Sequence, residues 1–312
     1  MFKQKILLDS DPGHDDAIAI LLASYSERLD LIGVTTCSGN QTIEKTSRNA
    51  LNLLNYFDRY DVPIAKGHPT PIKREPRICA EIHGETGLDG FIFPKYEDRF
   101  EKEEACVFLI NKLLENNDVV VVTTGPMTNL GLAIRKNPEI KSHIKEIVFM
   151  GGSTNEGNIT KAAEFNILVD PEAADICVNS GIPLRMLGLN VTRKILVREE
   201  IIKKAEKIST KGSELFVKLM KVFNKNQHDF FGLEAGPLHD PATIAALLDS
   251  SAFKWEKMNV KVDTSFTEEA GRTLCLEKEP KNVMVAVDVD LEKYWRIIFE
   301  HLRKCIWTKS LF

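Results

Sequence analysis

Four carboxylates fall within eight residues at Asp9-Ser10-Asp11-Pro12-Gly13-His14-Asp15-Asp16. Acid groups packed this closely suit a hard cation that prefers many oxygen ligands. A short apolar run, Ile6-Leu7-Leu8, precedes them and reads as a buried strand. Pro12-Gly13 forces a turn, and Asp15-Asp16 open an amphipathic run over 17–23 that reads as a helix. The acids therefore gather where a strand hands over to a helix, the place where open α/β sheets bind ligands. Helix capping accounts for one or two of the four, since Asp is common at helix starts. It leaves Asp9 and Asp11 facing Asp15 and Asp16 across a tight turn, where they repel one another unless a cation sits between them.

Three further clusters carry residues a core would not choose. Glu164 and Asn166 flank Phe165 at strand spacing, which sends both to one face and Phe165 to the other. An amide and a carboxylate side by side suit hydroxyl groups, although a solvated edge strand has the same spacing. His239-Asp240-Pro241 reads equally as an acid beside a histidine or as an N-cap beside a structural imidazole. His14, His83 and His228 are further candidates for an acid, because imidazole titrates near neutrality. Polar residues also follow several strand-like runs: Asn40 after 31–36, Thr124 after 119–123, and Gly151-Gly152 after 146–150. In a parallel sheet all of these lie on one edge. Asp170-Pro171, by contrast, reads as a plain helix start.

The elements that must position these residues alternate. Strands are expected at 31–36, 64–65, 119–123, 146–150 and 184–187, and helices at 42–56, 105–115, 128–135 and 171–179. This is the pattern of βαβ units around a largely parallel sheet flanked by helices, an α/β fold. The tract 66–99 loses periodicity, is rich in proline, and encloses His83-Gly84-Glu85-Thr86-Gly87-Leu88-Asp89-Gly90. A loop of that length is more often functional than idle. Beyond residue 190 helices are expected at 199–208, 213–230, 241–248 and 291–305. A small antiparallel patch is expected from 260–262, 272–276 and 283–287. With no linker or repeat, residues 1–312 read as one domain.

Composition narrows the partners. A net charge of −4 leaves no electrostatic footprint for a nucleic-acid polymer. Six scattered cysteines without C-x-x-C spacing argue against a zinc site or a disulfide framework and fit a cytoplasmic protein. No apolar stretch is long enough for a signal peptide or a membrane span.

Asp9-x-Asp11-Pro12-Gly13-x-Asp15-Asp16 resembles the defining motif of the inosine–uridine-type nucleoside hydrolases. Thr124-Gly125-Pro126-x-Thr128-Asn129, Met150-Gly151-Gly152, Gly157-Asn158, Ala163-Glu164-Phe165-Asn166, Asp170-Pro171-Glu172-Ala173-Ala174 and His239-Asp240 extend the likeness along nearly the whole chain. The His83–Gly90 loop is most similar to that of the pyrimidine-preferring bacterial ribonucleoside hydrolases. The resemblance implies a Rossmann-like domain with its active site at the C-terminal ends of the strands. It implies hydrolysis of a ribonucleoside such as uridine or cytidine to base and ribose, by a homotetramer with one Ca²⁺ per subunit. Asp11, Asp16, Asp240 and the Thr124 carbonyl would hold the ion, and Asp11 would deprotonate a Ca²⁺-bound water. Asp15, Asn158, Glu164 and Asn166 would grip the ribose, with Asn40 near the ion and Met150 against the sugar. His239, His83, Gln227 and Phe231 would face the base. The pyrimidine-preferring subgroup usually has Tyr at the position of Phe231, so a phenolic hydroxyl is missing here.

The alternative within the family is a purine or broad-specificity hydrolase. More distant rivals are a haloacid-dehalogenase-type phosphatase, whose first strand also ends in Asp-x-Asp, and a non-catalytic nucleoside-binding protein. The first leaves Glu164 and Asn166 without a task, and an intact Asp11 within a full metal set speaks against the second.

Overall fold

The computed structural model describes residues 3–307. Nine strands, β1 (Gln4–Ser10), β2 (Leu29–Thr36), β3 (Ile64–Ala65), β4 (Val119–Thr123), β5 (Ile144–Met150), β6 (Leu184–Leu187), β7 (Phe253–Val262), β8 (Thr273–Leu276) and β9 (Val283–Val289), form one sheet in the order β3-β2-β1-β4-β5-β6-β9-β7-β8. The first six strands and β9 run parallel to one another, β7 pairs antiparallel with β9, and β8 pairs antiparallel with β7. The expected antiparallel patch is thus no separate unit. Its strands prolong the main sheet through β9, and β7 begins at Phe253 rather than at Val260.

The chain winds outward from β1 in both directions, so the strand order reverses between β1 and β4. At such a switch point the two connecting crossovers leave in opposite directions and open a crevice at the strands' carboxyl ends. Alternation along the strands feeds two cores. Ile6 and Leu8 of β1, with Val120 and Val122 of β4, face one core. Helices α1 (Asp16–Tyr25), α2 (Ile43–Tyr56), α11 (Pro241–Leu248) and α12 (Leu291–Lys304) supply the rest of that layer. Leu7, Val119 and Val121 face the other, packed by α4 (Ala105–Leu114), α5 (Thr128–Lys136) and α7 (Pro171–Val178).

The tract 66–99 folds back onto the site. It contains a short helix, α3 (Ala80–His83), and a turn tied by Asp89, whose carboxylate accepts from the Glu85 and Thr86 N–H groups at 3.0 Å each. Asn49 donates to the Pro12 and Thr86 carbonyls at 2.9 and 2.8 Å, fastening this turn to the strand-to-helix turn after β1. Three more helices frame the crevice: α6 (Phe165–Val169), α8 (Leu189–Thr192) and α10 (Lys211–Phe231), with α9 (Glu199–Glu206) behind. A capping box at Thr210 and Ser213 starts α10, and Gly232 at φ 68° ends it in the left-handed conformation that glycine tolerates.

Candidate active site and metal centre

The carboxylates converge below the carboxyl ends of β1 and β4. Asp16 is the most heavily bonded. Its Oδ1 accepts from Ser10 Oγ and Thr124 Oγ1 at 2.7 Å each, and its Oδ2 accepts from Gly13 N at 3.0 Å and Asn40 Nδ2 at 2.9 Å. These donors lock the carboxylate in place. Asp11 is fully buried. Its Oδ2 accepts from Asn40 N at 2.7 Å, and its Oδ1 has no partner. Gly39 and Gly125 press on it so closely that a Cβ on either would fall 2.1 Å from Oδ2 or 2.4 Å from Oδ1.

Asp15 and Asp240 stand at the first turns of α1 and α11, but neither side chain caps its helix. Capping therefore fails as an explanation for these acids. Instead, carboxylate oxygens of Asp15, Asp16 and Asp240 lie within 4.8 Å of one another, all buried. Burial and the neighbouring Asp16 charge lift the Asp15 carboxyl to about 7. Burial and the Asp15, Asp16 and Asp11 charges push Asp240 well up, and burial with Asp16 does the same for Asp11. Among the described residues, no lysine or arginine forms an ion pair with any of these three. A buried set of like charges with an unpartnered Oδ1 matches the requirement of a divalent cation for several hard oxygens. The Thr124 carbonyl, beyond the end of β4, accepts only from Asn166 Nδ2 at 2.8 Å and retains a second lone pair.

Asp9 is not part of this set. Strand alternation places it on the Leu7 face, where its Oδ1 accepts from Thr35 Oγ1 at 2.7 Å and Asn129 Nδ2 at 2.8 Å. It joins β1, β2 and α5. Burial outweighs those bonds and raises its carboxyl to about 6.

Glu164 and Asn166 do share a wall of the pocket, but by a different route from the strand spacing expected for them. Glu164 is the N-cap of α6, accepting from the N–H groups of Asn166 at 2.9 Å and Ile167 at 3.2 Å, and from Gly152 N at 3.0 Å. Burial raises its carboxyl to about 7 against those bonds. Phe165, expected on the opposite face, lines the same pocket, because a helix start does not alternate. Asn166 Nδ2 also reaches the Met150 carbonyl at 3.2 Å and Sδ at 3.5 Å. Asn158 Oδ1 accepts from Phe165 N at 3.0 Å, which joins the loop before α6 to its first turn.

Above the acids the pocket is lined by Asp15, Asn40, Thr124, Met150, Asn158, Glu164 and Asn166, with His83, Gln227, Phe231 and His239 on the far side. His239 Nδ1 pairs with Thr192 Oγ1 at 2.6 Å, leaving Nε2 as its free ring nitrogen. Burial, with the Arg193 charge, pushes its imidazole well below the ordinary value. His83 is buried, within 3.3 Å of His14 N, and stacked on the His14 ring at 5.6 Å. Burial pushes His83 down, and lowers His14 to about 4. His14 Nε2 donates to the Asp89 carbonyl at 2.8 Å and so serves the turn at 84–90. His228 lies outside the site, exposed and 3.4 Å from Asp229.

Sequence reasoning missed Cys79, Ile82, Ile159, Phe165 and Phe223 in the lining. Phe223, Gln227 and Phe231 are spaced four apart on α10, so helical periodicity anchored on Gln227 points to Phe223. No such signal marks Cys79 or Ile82, which sit in the aperiodic tract.

A profile of the family described as inosine-uridine preferring nucleoside hydrolase matches residues 6–296. The pyrimidine-specific ribonucleoside hydrolase RihB of Escherichia coli K12 (DH10B) is 39% identical over 99% of this chain and 100% of its own. A purine-preferring ribonucleoside hydrolase from Gardnerella vaginalis superposes with a TM-score of 0.90 at 32% identity, covering 97% of this chain and 99% of that one. A plant nucleoside hydrolase, PpNRh1, gives 0.91 at 31% over the same shares. Among the described residues no helix is long and apolar enough to cross a membrane. The chain belongs to the inosine–uridine preferring nucleoside hydrolases, enzymes that cleave the N-glycosidic bond of nucleosides.

Proposed function

We propose that this enzyme releases ribose from pyrimidine ribonucleosides, uridine and cytidine, with one Ca²⁺ held by Asp11, Asp16, Asp240 and the Thr124 carbonyl. The observation that carries the reading is the unpartnered, buried Asp11 Oδ1 beside the buried carboxylates of Asp15, Asp16 and Asp240, which lie within 4.8 Å of one another. The pyrimidine preference rests on the printed specificity of the 39% identical relatives. Homotetrameric assembly rests on family resemblance, and a cytoplasmic setting on six unpaired cysteines.

Asp11, Asp16, Asp240 and the Thr124 carbonyl would hold the divalent ion, which when bound would neutralise the acids and supply Lewis-acid activation of water. Asp11 Oδ1, buried and without a partner, takes a proton from the attacking water. Asp15, Asn158, Glu164 and Asn166 hold the ribose hydroxyls, fixing the anomeric carbon against the attacking oxygen. As the glycosidic bond stretches the sugar becomes oxocarbenium-like, and the Glu164 carboxylate, anchored by three N–H groups, sets negative charge beside it. Water adds to the anomeric carbon, the bond to nitrogen breaks, and the base departs on the side of His239, Gln227 and Phe231. His239 presents Nε2 to the leaving base.

His239→Ala is expected to lower kcat by about 10²-fold, within the usual span for a positioned proton donor, with KM nearly unchanged. An effect on KM alone removes His239 from the chemistry. Gly157→Ala tests the loop that carries Asn158. A Cβ there would lie 2.0 Å from the Ala163 carbonyl oxygen, so the backbone must move. Losing the Asn158 contact is expected to raise KM by roughly tenfold, the equivalent of one hydrogen bond. The reading as a whole is tested by incubating uridine, cytidine, inosine and adenosine with enzyme and calcium and measuring free ribose. Uridine and cytidine should lead. Faster release from inosine or adenosine would transfer the enzyme to the purine side.

A further inference from the structure

The pocket that holds the sugar-gripping residues has a free volume of about 60 Å³, far below the roughly 300–1,000 Å³ of ordinary ligand sites. A second cavity of about 360 Å³ adjoins it. The two share Asn158, Gln227, Phe231 and His239, so the second opens from the base side and away from the acids. Leu189, Leu196, Leu233 and Pro237 give it a largely hydrocarbon wall, with Arg193 and Glu234 beside them. Arg193 is already engaged, donating to the Gly157 carbonyl at 2.6 Å. Leu233 and Phe231 are each 38% exposed, so the cavity has an outlet to solvent along the end of α10.

We infer that this annex is a specificity subsite for the nucleobase, and that it admits pyrimidine ribonucleosides carrying an apolar substituent on the base, as at C5. The inference rests on the pyrimidine reading given above. A base leaving on the His239 side points its far edge into the annex. The wall beyond the shared residues is mostly hydrocarbon, from Leu189, Leu196, Leu233 and Pro237, which favours an alkyl or alkynyl group over the polar second ring of a purine. Phe231 fits the same logic. Lacking a hydroxyl, it adds an aromatic face to the passage between the two cavities without a polar group to satisfy.

The test compares uridine, 5-methyluridine and 5-(1-propynyl)uridine in the wild-type holoenzyme and in two variants that fill the annex, Leu196→Trp and Leu233→Trp. Wild type should give kcat/KM for the propynyl nucleoside within about tenfold of uridine, the lower end of what one small apolar group decides in a pocket. Each Trp variant should lower kcat/KM for the propynyl nucleoside by roughly 10–100-fold while uridine changes by less than about threefold. Leu196 lies in a backbone bridge with Pro237, so its replacement risks misfolding. Leu233 is exposed and keeps the test open in that event. Rejection of the propynyl nucleoside by a wild type that hydrolyses uridine overturns the inference, as does a Trp variant that slows both nucleosides alike. Failure to release ribose from uridine itself is a different result. It removes the pyrimidine reading, and the annex assignment falls with it.

Discussion

Asp11→Asn should reduce ribose release from uridine by about 10²–10⁴-fold or more while the protein stays folded. The amide is nearly isosteric and can still accept from Asn40 N through its oxygen, so the packing against Gly39 and Gly125 survives. What disappears is the negative charge and proton affinity of a fully buried carboxylate oxygen that has no partner. An unchanged circular dichroism spectrum with lost turnover is the expected pair of observations. Wild-type turnover in a folded Asp11→Asn protein would remove Asp11 from the mechanism.

Calcium should raise the melting temperature by about 4 °C at a hundredfold excess over its dissociation constant, and more at pH 8 than at pH 6. The sign follows from the acids themselves. Asp15 and Glu164 titrate at about 7 in the folded chain, against ordinary values of 3.8 and 4.5. Their burial therefore destabilises the metal-free fold fully above pH 7. The penalty fades as pH falls from 7 toward 4, where the folded state binds protons the unfolded state does not. A cation relieves the Asp15 part of the same repulsion and competes with those protons, so its benefit is largest when they are absent. Metal-free protein should accordingly melt higher at pH 6 than at pH 8, and calcium should flatten that trend. Melting temperatures in chelator and in calcium at the two pH values check this. Identical curves with and without calcium at both pH values would count against an ion in the cluster.

Much of this architecture is legible in the sequence because its strongest signals are local. The run Val119-Val120-Val121-Val122 can be little other than a buried strand, and Asp170-Pro171 caps a helix as its residue types require, with Asp170 Oδ1 accepting from Ala173 N at 3.0 Å. The acid motif reads correctly as a strand-to-helix turn. Its membership does not. Asp9 sits two residues from Asp11 and looks equivalent, yet β1 ends at Ser10, so Asp9 keeps the Leu7 face and meets Asn129 while Asp11 lies beyond the strand and meets Asn40. The Glu164-Phe165-Asn166 spacing fits a strand, and only the three backbone donors around Glu164 reveal a five-residue helix too short to show a period. Asp240 comes from the far end of the chain. Nothing in its neighbourhood ties it to Asp15 and Asp16, so its place rests on family resemblance until the fold brings α11 beside α1. The outer strands are weak in the sequence because β7 faces solvent at Lys254 and Lys257 and alternates only at its far end. The base-side annex has no sequence signature, since Leu189, Leu196 and Leu233 read as ordinary core or surface leucines until they meet around one cavity.

In the proposed mechanism, Asp11, Asp16 and Asp240 would gather one divalent ion beside which sugar and water meet. The most direct measurement is ribose release from uridine as calcium is stripped by chelator and returned in known amounts. Turnover should collapse on stripping and recover in proportion to added calcium until one ion per chain is bound. Undiminished ribose release with less than one ion for every hundred chains would contradict that mechanism.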